Sequence, residues 1–209
     1  MQNSELHVLP RSFIDRDPRK VAAGLLGKLL VRGPRNRVSI TARVVEVEAY
    51  LGFTDPAAHA FNGRTARNAV LFGPPGRAYV YLIYGNHYCL NVSCQPTGTP
   101  GGVLFRAVEP LTGEATMARR RGVVLAGPQD LIQLTSGPGR LTQAFGITRK
   151  QDNGCDLASA SSRLWIADDG FRVSNVRRTP RIGIRQAKER PLRFLIAGNP
   201  FVSGPKRLN

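Results

Sequence analysis

The sequence predicts an α+β fold in a single domain. Segments with helical spacing of apolar residues occur between segments that alternate with the period of a strand. Two apolar and aromatic runs, at residues 79–84 and 88–92, are separated only by a turn-prone segment, which predicts adjacent antiparallel strands. No internal repeat or linker-like tract divides the 209 residues. We therefore expect one domain over residues 11–209, preceded by a flexible tail over residues 1–10.

Three segments are predicted to be helices. Two aspartates precede a proline at residues 15–18, and apolar residues continue at four-residue spacing to Leu29, so a capped helix begins near residue 18. A polar segment that includes residues 119–121, all arginines, predicts a second helix. The third opens at residues 136–139 and extends to Phe145. Its exposed start, beside an arginine, offers backbone N–H groups that can hold a phosphate.

The strand predicted over residues 39–50 changes character along its length. Alternation with period two puts six of its side chains on one face, which is first apolar, then acidic, then aromatic: Ile40, Ala42, Val44, Glu46, Glu48 and Tyr50. Carboxylates at the end of a half-buried strand are unusual, so this end of the strand is a candidate site. Further strands are predicted over residues 103–108, 182–184 and 192–196.

The charge balance points to a polyanionic partner. Thirty Lys and Arg stand against 14 Asp and Glu, a formal net charge of +16, and nucleic acid is the commonest partner of so basic a protein. An anionic membrane surface is the alternative, but the chain has no long apolar run and no separate basic amphipathic helix. The first residues lack the pattern of a secretory signal, so we expect a cytoplasmic, nucleoid-associated monomer.

The cysteines and histidines do not predict a disulfide framework or a metal site. The three cysteines lack paired spacing, and we expect them to be reduced: Cys89, Cys94 and Cys155. The three histidines are too scattered for a recognisable set of ligands: His7, His59 and His87. We predict no metal and no cofactor.

Glu46 and Glu48 are the candidate catalytic pair. Their spacing puts them on one face of the strand, with Tyr50 following on that face. Two solvated charges at a strand end are the alternative interpretation. A positioned carboxylate that activates water is what hydrolysis of an N-glycosidic bond requires, and such assistance contributes about 10² to 10⁴ in rate.

All five tyrosines are close to this strand end or in the predicted hairpin. Tyr50 ends the strand, and the other four lie in the hairpin: Tyr79, Tyr81, Tyr84 and Tyr88. A pocket that stacks an extruded base would explain the concentration, although tyrosines are more often core residues and a single histidine such as His59 is more often structural. Tyr84, beside the turn, would serve as a wedge between base steps or fold back over its own hairpin.

Several motifs together resemble the alkyladenine (3-methyladenine) DNA glycosylases. They cover nearly the whole chain: VEVEAYLG at residues 45–52 with Asp55, Ala57, Ala58 and His59, YVYLIYG at 79–85, CLNVS at 89–93, RAVEPL at 106–111, SGP at 136–138 and PLRF at 191–194. The resemblance implies a single mixed domain around a curved antiparallel sheet, like the C-terminal domain of methionyl-tRNA formyltransferase. It also implies double-stranded DNA containing damaged purines as the partner.

The resemblance assigns roles residue by residue. Glu48 would be the catalytic base, and Arg106 would help to hold the glutamate and the water. Tyr84 would fill the gap left by the flipped nucleotide, and Asn91 would disfavour guanine by crowding its exocyclic amine. Three residues would enclose the flipped base: Tyr50, His59 and Tyr81.

The shared pocket also decides the register of the hairpin. A two-residue turn would put Tyr81 and Asn91 on opposite faces, whereas a three-residue loop over residues 84–86 puts them on the same face. We therefore predict the three-residue loop. Within it, Asn86 departs from the family pattern.

These observations predict a monofunctional DNA base-excision repair glycosylase. It would flip damaged purines such as 3-methyladenine and hypoxanthine and hydrolyse the N-glycosidic bond. No lysine stands at the position of Glu48 to act as a Schiff-base nucleophile. A non-catalytic basic nucleic-acid-binding protein is the main alternative. A glycosidase acting on carbohydrate is the second, and the high positive charge argues against it.

Overall fold

The computed structural model describes residues 6–83 and 85–204. Within these ranges an antiparallel sheet curls into a half-barrel and carries helices, which confirms the predicted α+β class. The strands are β1 (His7–Val8), β2 (Leu29–Arg32), β3 (Ile40–Tyr50), β4 (Ala78–Ile83), β5 (His87–Ser93), β6 (Gly102–Thr112), β7 (Leu164–Asp168), β8 (Val176–Thr179) and β9 (Arg193–Ile196). The α-helices are α1 (Arg11–Ile14), α2 (Pro18–Leu25), α3 (Glu114–Arg121), α4 (Pro128–Thr135), α5 (Pro138–Phe145) and α6 (Arg149–Asp152).

Strand β3 is the centre of the sheet. Along one edge it pairs with β6 over almost its whole length. Along the other edge its first half pairs with β2, and residues 46–48 pair with β9. The strand order β1-β7-β2-β3-β6-β5-β4 is extended by β9 on β3 and by β8 on β9. This arrangement brings β9, which is far along the chain, next to the acidic end of β3.

The main hydrophobic core lies on one face of the sheet. It includes Val44 and Val47 of β3, Phe105 of β6, and apolar residues of the helices such as Leu25 and Phe145. A second, smaller cluster joins Val45 and Ala107 to β9 and to the chain beyond it: its other buried members are Leu195, Phe201 and Val202. Adjacent residues of β3 thus pack in different clusters.

A pair of β-bulges explains where the predicted face of β3 is wrong. Val44 pairs with Val108 and Glu46 with Ala107, so Val45 is an extra residue on β3. Val47 then pairs with Phe105, so Arg106 is an extra residue on β6. Because the bulge shifts the alternation by one residue, Val44 packs in the main core while Glu46 and Glu48 leave that face. The strand over residues 40–50 is confirmed, but its single continuous face is not.

The predicted register of the hairpin between β4 and β5 is confirmed. Ile83 pairs with His87, which leaves a three-residue loop over residues 84–86. Tyr79 pairs with Asn91 and Tyr81 with Cys89, so these four side chains share a face. Gly85 has φ +76°, a backbone conformation that a loop of this length favours.

The other helix and strand predictions have mixed outcomes. Asp17 caps α2 as expected, accepting from the Arg19 amide at 2.8 Å. The helix ends at Leu25 rather than continuing to Leu29, because Gly27 turns the chain with φ +81° and Leu29 begins β2. Helix α5 ends as predicted at Phe145, before a left-handed glycine.

Two predicted segments differ in the structure. Residues 182–184 do not form a strand, although β9 lies close to its predicted position. Residues 7–8, within the predicted flexible tail, pair with β7 as β1, and Leu9 is buried against the core. The backbone hydrogen bonds of this short strand hold the later part of that segment on the sheet. In the described ranges no helix is long and apolar enough to cross a membrane.

Candidate active site

A cavity of about 420 Å³ opens between β3, the β4–β5 hairpin and the chain around residue 182. Its volume falls in the range of small-molecule sites. Six residues singled out in the sequence line it: Glu48, Tyr50, His59, Tyr81, Asn91 and Arg106. The seventh, Tyr84, lies outside the described residues. The fold therefore brings together side chains from β3, β4, β5, β6 and the loop after β3.

Glu48 is a buried carboxylate held by two hydrogen bonds and one ion pair. Its Oε1 accepts from the backbone N–H of Ile182 at 2.8 Å and lies 3.2 Å from Arg106 Nη1. Its Oε2 accepts from the Tyr50 hydroxyl at 2.9 Å. The side chain is fully buried, so these contacts fix the orientation of its carboxylate.

Glu46 is also buried, but it does not line the cavity. Its Oε1 accepts from Arg193 Nε at 2.6 Å and from Arg106 Nε at 3.0 Å. Its Oε2 accepts from the backbone N–H of Ser203 at 2.7 Å. Both oxygens of Glu46 are thus engaged by protein donors on the side of the sheet away from the main core.

Arg106 bridges the two glutamates. Its Nε binds Glu46 and its Nη1 approaches Glu48, while Nη2 donates to Ser203 Oγ at 3.3 Å. Burial alone would lower the pKa of Arg106, but the charges of Glu48 and Glu46 outweigh it and raise that pKa. Arg106 therefore remains a cation inside the site.

A second ion pair supports Tyr50 from behind. Arg181 and Asp55 are both buried and form a two-pronged salt bridge, with Nη2 to Oδ1 at 2.8 Å. Burial acts to raise the pKa of Asp55, yet the hydrogen bond and charge of Arg181 lower it overall. The Arg181 guanidinium also lies 4.5 Å from the centre of the Tyr50 ring. Ile182, which donates to Glu48, directly follows Arg181, and Tyr50, which also donates to Glu48, lies against Arg181. The ion pair therefore helps to fix both of these donors.

Three aromatic side chains form one wall of the cavity. The rings of His59 and Tyr81 meet edge to face with centroids 4.5 Å apart, and Tyr79 stacks on Tyr81 at 5.3 Å. The Tyr79 hydroxyl is 2.9 Å from His59 Nδ1. Burial, together with the charge of nearby Arg67, lowers the pKa of His59, so its imidazole is neutral at pH 7.

Burial favours the neutral form of the tyrosine hydroxyls as well. It raises the pKa of Tyr81, and burial together with the Glu48 charge raises the pKa of Tyr50. Both phenols therefore stay protonated and remain hydrogen-bond donors. A flat, neutral and largely apolar wall of this kind suits an aromatic heterocycle.

The opposite hairpin strand contributes Cys89 and Asn91. Burial raises the pKa of the Cys89 thiol, so it is an unreactive, uncharged lining group. Asn91 Nδ2 donates to the Tyr79 carbonyl at 3.3 Å. That bond uses one amide proton, which leaves the rest of the Asn91 amide for a group inside the cavity.

The cavity wall continues to basic and helix-terminal groups. Arg67 lines the cavity, and its guanidinium lies 5.7 Å from the centre of the Tyr81 ring. Pro138 and Gly139, in the first turn of α5, line the cavity as well. In the described part of the chain no group of three or more His, Cys, Asp or Glu side chains is arranged to hold a metal.

Sequence reasoning did not assign roles to several residues of the site. Arg181 and Arg193 are fully buried partners of carboxylates, but in the sequence they lie among many arginines of the basic C-terminal part. Ile182 holds Glu48 through its backbone N–H, and a backbone donor leaves no signal in residue type. The sequence around Ser203 likewise contains no motif that marks it as part of the site.

Comparison with known proteins assigns the family. The family model of methylpurine-DNA glycosylase matches residues 12–200. A relative from Koribacter versatilis (strain Ellin345) is 55% identical over 205 residues, which are 98% of this chain and 97% of that protein. A relative from Burkholderia lata is 48% identical over 200 residues, which are 95% of this chain and 92% of that protein. A relative from Methanocella arvoryzae is 47% identical over 200 residues, which are 94% of this chain and 96% of that protein. All three are named, provisionally, as 3-methyladenine DNA glycosylases. The chain belongs to the methylpurine-DNA glycosylase family.

Proposed function

We propose that this DNA repair glycosylase hydrolyses the N-glycosyl bond of damaged purines with a water molecule activated by Glu48. One observation carries the proposal: among the described residues, Glu48 is the only carboxylate that lines the cavity. Glu46, although next to it on β3, has both oxygens engaged elsewhere. The role of general base therefore falls to Glu48.

The contacts of Glu48 leave one acceptor position of its carboxylate unoccupied. A carboxylate offers about four acceptor positions, two on each oxygen. Ile182 and Arg106 occupy Oε1, and Tyr50 occupies one position of Oε2. The remaining position on Oε2 would accept a proton from the attacking water. Arg106 would hold the carboxylate ionised and oriented.

The reaction proposed is hydrolytic. In the described part of the chain no lysine lines the cavity, so an amine to form a Schiff base with the sugar is lacking there. Bond cleavage would thus leave an abasic site in an unbroken strand. A damaged purine that is positively charged or electron-poor leaves readily, so a single general base is sufficient.

The aromatic wall would receive the base after it leaves the duplex. Tyr50 on one side, with His59 and Tyr81 on the other, would enclose a purine that is 3-methylated or deaminated to hypoxanthine. A neutral His59 would not repel a cationic lesion. Asn91 would crowd the exocyclic amine of guanine. Tyr84, at the hairpin tip, would occupy the place of the flipped nucleotide.

The partner proposed is duplex DNA containing a damaged purine. Exposed arginines beside the site, such as Arg67 and Arg140, would contact phosphates, and so would the start of α5. The net charge of +16 would attract the DNA as a whole. Such binding weakens steeply as salt is raised. We further propose a monomer associated with the nucleoid in the cytoplasm, and a topology like that of the C-terminal domain of methionyl-tRNA formyltransferase.

The experiment is an excision assay with a matched pair of variants. Duplexes carrying one hypoxanthine or one 3-methyladenine are incubated with protein, and abasic sites are measured. Glu48→Gln should lower excision by about 10² or more while lesion binding survives. Glu109→Gln makes the same change on β6, where the carboxylate binds Asn199 outside the cavity, and should keep normal excision. Full activity of Glu48→Gln, or no abasic sites with the unmodified protein, would refute the proposal.

A further inference from the structure

The chain beyond β9 returns to the back of the candidate active site. After Ile196 it turns and brings Ser203 beside Arg106 and Arg193. Ser203 is nearly inaccessible to solvent and lies beyond residue 200, where the match to the family model ends. No role follows for it from the family comparison.

Ser203 makes three contacts with the charged groups behind the site. Its backbone N–H donates to Glu46 Oε2 at 2.7 Å, and its carbonyl accepts from Arg193 Nη2 at 2.8 Å. Its hydroxyl accepts from Arg106 Nη2 at 3.3 Å. In the first two contacts Ser203 takes part only through its backbone atoms, so only the third contact depends on the serine side chain.

The third contact completes the hold on the Arg106 guanidinium. Nε donates to Glu46, and Nη2 donates to Ser203. Nη1 lies 3.2 Å from Glu48 Oε1 and also donates to the Ile182 carbonyl at 3.5 Å. With Nε and Nη2 both fixed, rotation of the plane is restricted, and Nη1 is directed at Glu48.

We propose that Ser203 is a positioning residue, which acts on Glu48 through Arg106. This proposal rests on the role of Glu48 stated above. Ser203 does not line the catalytic cavity, so it would not touch the substrate. Loss of its hydroxyl frees Nη2, which allows the guanidinium to tilt and the Glu48 carboxylate to leave the orientation that activates water.

The segment that carries Ser203 is anchored by apolar packing. Phe201 and Val202 are buried with Val45, the extra residue of β3, and with Ala107, which follows the extra residue of β6. Ser203 is therefore held against the sheet where Arg106 emerges from it. Removing one hydroxyl leaves this packing and the two backbone contacts in place, so Ser203→Ala should fold.

The test separates chemistry from binding. Single-turnover excision of hypoxanthine from a duplex is measured together with the affinity for that duplex. Ser203→Ala should lower the single-turnover rate about tenfold, as expected for a lost hydrogen bond to a charged group. Its affinity should stay within about threefold of the unmodified protein. Ser93→Ala is the matched control, because Ser93 is a buried serine whose hydroxyl bonds Arg77 and Pro74 outside the cavity. That variant should lose stability but keep its excision rate.

A double-variant cycle identifies the path of the effect. In the Arg106→Gln background the guanidinium is gone, so Ser203→Ala should cause no further loss of rate. A normal rate for Ser203→Ala alone, or an undiminished tenfold effect in the Arg106→Gln background, would overturn the proposal. Because Glu48→Gln is assayed on the same duplex, failure of the Ser203 proposal is distinguishable from failure of the proposed function, in which Glu48→Gln would stay active.

Discussion

Glu46 and Glu48 lie two residues apart on β3, and both contact Arg106, yet Glu48 lines the cavity whereas Glu46 does not. The difference comes from β9 and the chain after it. Arg193 and the backbone N–H of Ser203 engage Glu46 from that side. Two carboxylates of the same type and on the same strand thereby acquire different properties from their surroundings.

Glu46→Gln should therefore act mainly on stability. The change leaves Arg106 and Arg193 in a buried cluster with one negative charge fewer, and breaking a buried ion pair in this way costs about 3 to 5 kcal/mol. Thermal unfolding should show Tm lowered by roughly 10 °C. Glu48→Gln should lower Tm less, because Glu48 borders the open cavity. Equal Tm losses in the two variants would contradict this division of roles.

His59 should make the stability of the protein depend on pH. Burial and Arg67 lower its folded-state pKa below the ordinary value of 6.5. Well above pH 6.5 the imidazole is neutral in both the folded and the unfolded state. As the pH falls below 6.5, the unfolded chain takes up the proton first, so stability is lost until the folded-state pKa is reached. Between about pH 7.5 and 5.5, Tm of the unmodified protein should therefore fall more than Tm of His59→Gln. Parallel Tm curves would show that His59 does not contribute.

Asn91→Ser should change the substrate preference. Asn91 lines the cavity and is fixed by its bond to the Tyr79 carbonyl, so its amide occupies space that a purine substituent would need. The smaller serine should raise excision of guanine-type lesions relative to adenine-type lesions with little effect on the fold. The measurement is the ratio of the two excision rates in competition. An unchanged ratio would remove Asn91 from the specificity role.

Tyr84→Ala should weaken lesion binding while leaving the cavity unchanged. If Tyr84 fills the vacated stack, its removal takes away stabilisation of the flipped state, for which unstacking costs a few kcal/mol. Equilibrium binding to lesion duplex should fall, and binding to undamaged duplex should change little. Unaltered affinity for lesion DNA would identify Tyr84 as a packing residue of the hairpin tip.

Local patterns in the sequence predicted the parts of the site that depend on spacing. The alternation in β3 predicted that Glu48 and Tyr50 share a face, and their side chains are hydrogen-bonded. The pocket implied by the family resemblance requires Tyr81 and Asn91 to share a face, and this requirement predicted the hairpin loop. Both are consequences of the period of a strand.

The remainder of the site depends on contacts between distant segments. A buried arginine such as Arg193 and an exposed one such as Arg178 are the same residue type, and only their packing distinguishes them. The bulge at Val45 has no signature in residue type either, because valine is an ordinary strand residue. For this reason the predicted face of β3 joined Val44 to Glu46, although the structure separates them.

The two bulges also constrain the lengths of β3 and β6. The extra residue on β3 is Val45, the extra residue on β6 is Arg106, and the register beyond them is the same as before. Between the pairs that flank the bulges, the two strands therefore have equal numbers of residues. Loss of Val45 alone would leave the bulge at Arg106 without a counterpart, and an unmatched bulge bends its strand and increases the local twist of the sheet beside Glu48. The site thus depends on the number of residues in these two strands as well as on their side chains.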